Sequence, residues 1–123
     1  MSTARERIHF DKFNVLIVPP GYQVLRTYPI KDNRTFRFSI TVVARQTDGT
    51  NRAMFTRTGL FFRQAGGPVQ IQGPTWHATE TSKSDDTMDI KFILGATDLV
   101  VQVRNAGSVS TKWGGYVDKL EVK

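Results

Sequence analysis

DLVVQVRNAGSVSTKWGGYVDKLEVK, residues Asp98 to Lys123, reads as a strand, a tight polar turn and a second strand, and this reading decides the fold. Leu99, Val101 and Val103 alternate with Val100, Gln102 and Arg104, so one face is uniformly apolar and the other mixed, as a half-buried strand requires. Asn105-Ala106-Gly107-Ser108 supplies turn chemistry, because Asn and Gly tolerate the left-handed backbone of a reversal. In the strand that follows, Trp113 is in register with Gly115 and Val117, opposite Lys112, Gly114 and Tyr116. The register predicts Trp113 in the core and Gly114-Gly115 as a bend or bulge.

The same grammar extends backwards along the chain. Lys12 to Val18 is a β-rich run closed by Pro19-Pro20, which cannot continue a ladder. Tyr22 to Tyr28 is a second, ended by Pro29. In Arg34 to Arg45, Phe36, Phe38, Ile40, Val42 and Ala44 face one way and Arg37, Ser39, Thr41 and Val43 the other. Thr47-Asp48-Gly49-Thr50 reverses the chain into Arg52 to Arg63, interrupted by Gly59, where a bulge or a close backbone approach is expected. Val69 to Gln72 is a short strand, Trp76 to Thr79 an edge piece and Thr81 to Asp86 a polar loop. Thr87 to Leu94 then leads into the terminal hairpin. Eight or nine short strands with turn signals predict an all-β fold, an antiparallel two-sheet β-sandwich of about eight strands, with a jelly roll as one way of winding it. The division expected is an N-terminal arm, residues 1–11, and a single sandwich domain, residues 12–123.

At 123 residues the chain fits one domain, and its lack of cysteine excludes disulfides, thiolate metal sites and a Cys nucleophile. The N-terminal stretch MSTARERIHFD has no apolar centre of the kind a signal peptide needs, and no apolar run approaches the roughly 20 residues of a membrane span. The net charge of +6 is uneven: residues 1–63 hold eleven Lys or Arg against four acids (+7), and residues 64–123 hold six against seven (−1). A basic half can meet nucleic acid, an acidic protein surface or an anionic glycan. Because Arg34, Arg37, Arg45, Arg52, Arg57 and Arg63 are dispersed over several strands, a solvated face is expected rather than a phosphate-tracking groove, and nucleic acid is not an expected partner.

Catalytic chemistry is thinly supplied. His9 lies in the charged arm and His77 beside Trp76, and no Gly-x-Ser-x-Gly elbow is present. Two histidines without cysteine fall short of a zinc site, and Asp85, Asp86 and Asp89 lack the spacing of a calcium loop. The expectation is therefore no enzyme, no metal and no cofactor. Trp and Tyr combine apolar area with a polar edge, so Tyr22 and Trp76, with His77, are candidate partner-binding or glycan-binding residues. Arg5, Arg7 and His9 of the arm complete the candidate set.

Three segments together, Val42-Val43-Ala44-Arg45-Gln46-Thr47-Asp48-Gly49, Gly59-Leu60-Phe61-Phe62-Arg63, and Leu99 to Val103 followed by Thr111-Lys112-Trp113, resemble a small β module of tailed-bacteriophage virion proteins. The likeness covers about residues 34–123 and rests on turn and core residues; Asn105 departs from it, standing where the pattern usually has Gly. The resemblance implies a structural protein of the virion, assembled in the host cytoplasm and often homotrimeric: a capsid decoration or cement protein, a head fibre, or a tail-fibre or spike segment. A single small module favours capsid decoration, with Arg5 and Arg7 of the arm against acidic surface of the major capsid protein. The alternative is a tail-fibre or spike module, or a receptor-binding sandwich that takes carbohydrate.

Overall fold

The computed structural model describes residues 6–73 and 78–122. Among the described residues nine strands form in chain order: β1 (Glu6–Ile17), β2 (Tyr22–Pro29), β3 (Arg34–Gln46), β4 (Arg52–Arg63), β5 (Val69–Gln72), β6 (Ala78–Lys83), β7 (Asp89–Leu94), β8 (Asp98–Arg104) and β9 (Thr111–Val122). They make two antiparallel sheets. The larger runs β1-β9-β3-β4-β5, with β6 also paired to β4, and the smaller runs β2-β8-β7. The first strand pairs with the last and the second with the eighth, the nested winding of a jelly roll, while β3–β4 and β7–β8 remain sequential hairpins. The all-β two-sheet sandwich expected from the alternation is the fold observed.

Alternation decides which atoms enter the core. Phe36, Phe38, Ile40, Val42 and Ala44 of β3 are all buried, as are Leu99, Val101 and Val103 of β8. Phe38 joins the sheets, meeting Tyr28 of β2 and Phe92 of β7 edge-on at 5.4 and 5.9 Å between ring centroids. Such aromatic pairs add about 0.5–1.5 kcal/mol each beyond the area they bury. Trp113 is fully buried, as its register predicts, and stacks on Phe55 at 6.0 Å.

Several local expectations are corrected. Pairing of β1 with β9 begins at Glu6 opposite Val122, so residues 6–11, the inner part of the expected arm, are ladder backbone. The polar stretch Thr81 to Lys83, read as loop, belongs to β6, because β4 offers it a free edge on which backbone pairing outweighs composition. The ladders of β9 run through Gly114 and Gly115 without a register shift, so no bulge occurs there. Gly115 instead faces the backbone of β3, where a Cβ would overlap the Thr41 carbonyl oxygen. Gly59 likewise stays in register, opposite Phe38. The one bulge in the β2–β8 ladder falls between Val24 and Arg26, which turns both Leu25 and Arg26 inward.

Asn105 also differs from its expected role. The left-handed residue of the turn is Gly107, at φ 58°, while Asn105 is a buried cross-link. Its Oδ1 accepts the Trp113 indole N–H at 2.8 Å and its amide donates to the Ile17 carbonyl at 2.7 Å. One side chain therefore ties β8, β9 and β1 at one end of the sandwich. Beside it Gln46 donates to the Ala106 carbonyl at 2.8 Å and accepts from Asn51.

Candidate partner-binding surfaces

The outer face of the small sheet carries Tyr22. Its hydroxyl donates to Asp89 Oδ2 across β8, and its ring lies 3.9 Å from Lys91 Nζ and 4.8 Å from Arg104 Cζ. The hydrogen bond to Asp89, with burial behind it, holds the phenol above its ordinary pKa. Arg104 is itself anchored on the Thr87 carbonyl at 2.6 Å. The ring is thus engaged by two cations of its own sheet, a clasp joining β2 to β7 over β8, beside exposed Val24 and Ile93.

A groove opens beside β1, lined by Phe10, Asp11, Tyr28, Pro29, Val117 and Lys119. Tyr28 donates to Asp11 Oδ2 at 2.7 Å, and Arg26 Nε stands 3.2 Å from the same oxygen. That approach is an ion pair rather than an aligned hydrogen bond, which leaves the buried Arg26 Nε–H without an acceptor. Burial first, and the bond to Asp11 second, push the Tyr28 phenol well above its ordinary range. The Asp11 carboxylate is already engaged on both counts. On the far side Lys119 and Glu121, both nearly buried, stand 3.7 Å apart, with Arg34 Nε 3.6 Å from Glu121.

The outer face of the large sheet exposes a further set of side chains. Phe10 and Tyr116 stack there at 5.4 Å, and Leu16, Val43 and Leu60 are also exposed. Most described arginines have partners: on this face Arg37 pairs with Asp118, while Arg63, on the core-side register of β4, pairs with Asp32 at 3.0 Å and the Ile30 carbonyl at 2.8 Å. Arg57 lies over Phe55 and donates to the Glu80 carbonyl and Thr81 Oγ1; burial lowers its pKa. Arg45 and Arg52 face each other across the β3–β4 ladder, and Lys112 faces Arg45 across the β3–β9 ladder. Their side chains make no ion pair with any described acid. The arginines dispersed in sequence are therefore partly gathered in space.

Of the candidate residues named from sequence, Tyr22 is the one whose side chain is described. Arg7 and His9 fall within β1, opposite Glu121 and Lys119 in the β9 register, while Arg5, Trp76 and His77 lie outside the described residues. The acidic turn does not gather its carboxylates: Asp85 accepts from the Thr87 hydroxyl and amide, and Asp89 from Tyr22. Among the described residues no group of three metal-ligating side chains stands together. Sequence reasoning missed the Arg45–Arg52–Lys112 row, although the Thr47–Thr50 reversal already implied that Arg45 and Arg52 would be neighbours.

No protein-family model and no curated protein sequence matches the chain. Among solved structures it is similar to the tailspike protein of Acinetobacter baumannii phage AM24, at a TM-score of 0.50 and 8% identity, over 92% of this chain and 26% of that one. The chain therefore spans about a quarter of the length of the tailspike it matches. At this identity the likeness is one of fold, an all-β sandwich that also occurs within a phage tailspike chain.

Proposed function

We propose that this chain is a structural module of a tailed-phage virion, acting by binding other virion proteins rather than by catalysis. The observation that carries the reading is the sandwich fold shared with part of a phage tailspike over 92% of this chain. That likeness favours the tail, as a spike or fibre module, over the head. The case for capsid decoration rested on a single small module with its arm laid on a neighbouring subunit, and residues 6–11 of that arm are strand. Assembly has a ready route: among the described residues β1 pairs only with β9, so a 12-residue edge carrying exposed Phe10 and Leu16 is open to a neighbouring strand. A homotrimer is the assembly expected.

Immunogold labelling of purified particles, with blots of separated heads and tails, tests the reading. Label at the tail tip or baseplate supports it. Label on heads moves the protein to capsid decoration, and absence from particles overturns both placements. Sedimentation equilibrium of the purified chain reads the trimer directly.

A further inference from the structure

We propose that the row Arg45–Arg52–Lys112, with the aliphatic row beside it, is a docking site for an extended acidic segment of a partner protein. The inference needs only the purified chain and stands apart from where in a virion the protein sits.

Adjacent strands lie about 4.8 Å apart, so three cations in register on three neighbouring strands concentrate their charge within about 10 Å. Like charges directly opposite destabilise a sheet, and nothing within the described chain relieves them here. Elsewhere on the same face the repulsion is answered, since Arg37 reaches Asp118. Three cations in one row, unpaired among the described residues on a face where Arg37 finds Asp118, are complementary to carboxylates supplied from outside.

The next row on that face fixes the class of partner. Two residues along each strand, about 7 Å away, lie Gly114, Val43 and Met54 in register. Val43 is 55% exposed, and Gly114 presents no side chain between it and β1. Met54 and Val43, with Arg52, Ser82 and Ser84, line a groove of about 470 Å³. A strand with carboxylates spaced for the cations and aliphatic side chains spaced for this groove meets both rows at once. A nucleic acid or a glycan would use the cations but leave the aliphatic floor unmatched, since neither row holds an aromatic ring on which a base or sugar could stack.

The test uses a fluorescein-labelled octapeptide alternating Glu and Val, its Gln-for-Glu counterpart, a 12-nucleotide single strand and polysialic acid. Polarisation titrations run at roughly 50 and 300 mM salt, where screening separates charge from apolar contact. The Glu-Val peptide should bind, at least tenfold more tightly than the Gln peptide. Arg45→Gln with Arg52→Gln should weaken it at least tenfold, and Val43→Ser by several-fold at both salts. Lys91→Gln, on the other sheet, should leave binding unchanged, and amide shifts should centre on residues 43–45, 52–54 and 112–114. Circular dichroism melts confirm that each variant folds, and the Arg45, Arg52 pair should melt at or above the parent temperature because repulsion is relieved. The proposal is overturned by equal binding of the Gln peptide, by indifference to the Arg45, Arg52 pair, or by tighter binding of the oligonucleotide or polysialic acid than of the peptide.

Discussion

Replacing Asn105 by glycine, the residue that the resembled module usually carries there, removes a side chain that satisfies two buried groups at once. The Trp113 indole N–H, in a residue with no exposure, loses its acceptor, and the Ile17 carbonyl loses its donor. Leaving a buried polar group unpaired costs about 1–3 kcal/mol. Glycine in ordered backbone adds roughly 0.5–1 kcal/mol of lost conformational freedom. Water entering the vacated space recovers part of the loss, which brings the expected destabilisation to about 3–4 kcal/mol. For a domain of this size that lowers the melting temperature by roughly 12–15 °C. Urea denaturation followed by far-ultraviolet circular dichroism measures it, alone and in a cycle with Trp113→Phe. Because Trp113→Phe already breaks one of the two bonds, Asn105→Gly should cost at least about 1 kcal/mol less in that background. Strict additivity, or a single-variant effect below about 0.5 kcal/mol, would refute the assignment of Asn105 as the cross-link of β8, β9 and β1.

The two adjacent glycines of β9 should behave oppositely. Gly115→Ala places a methyl against the backbone of Thr41 and Val42 and should cost about 3 kcal/mol or fail to fold, whereas Gly114→Ala, with its nearest neighbour 3.7 Å away, should be neutral or stabilising in the same urea assay. Tyr28 keeps its proton in the folded state above the ordinary value of 10.0, so its contribution is fully present below pH 10 and is lost as pH rises beyond it. Stability measured from pH 8 to 12 should fall less steeply in Tyr28→Phe than in the parent. Asp85 is held below its ordinary 3.8, first by the Thr87 hydroxyl and then by the Thr87 amide; this favours folding above that value and is lost as pH falls through the lowered one. In Thr87→Val the Asp85 carboxyl should titrate closer to 3.8 by carbon-detected NMR; an unchanged midpoint would refute the hydroxyl's role.

Much of the architecture is legible because strand alternation is local. Phe36, Phe38, Ile40, Val42 and Ala44 enter the core because every second side chain of β3 faces the other sheet, and the turn at Thr47–Thr50 closes β3 onto β4 through local backbone bonds between Gly49 and Gln46 and between Gln46 and Asn51. The errors fell where a distant strand decides the outcome. Residues 6–11 look like a charged arm until β9 is placed beside them, and Thr81–Lys83 look like loop until β4 offers its edge. Tyr22, a candidate surface residue, is engaged by Asp89, Lys91 and Arg104, which lie nearly seventy residues or more away along the chain.

By itself the sequence determined the fold class, the buried faces and Trp113 as core, all consequences of period two and turn chemistry within a dozen residues. Only the tertiary structure decided that Gly115 is a close approach rather than a bulge, that Asn105 bridges three strands, and that Lys112 completes a row of cations with Arg45 and Arg52. Each depends on β9 lying between β1 and β3, a pairing about seventy residues distant from β3 that is selected by the summed burial of both sheets and by no local signal.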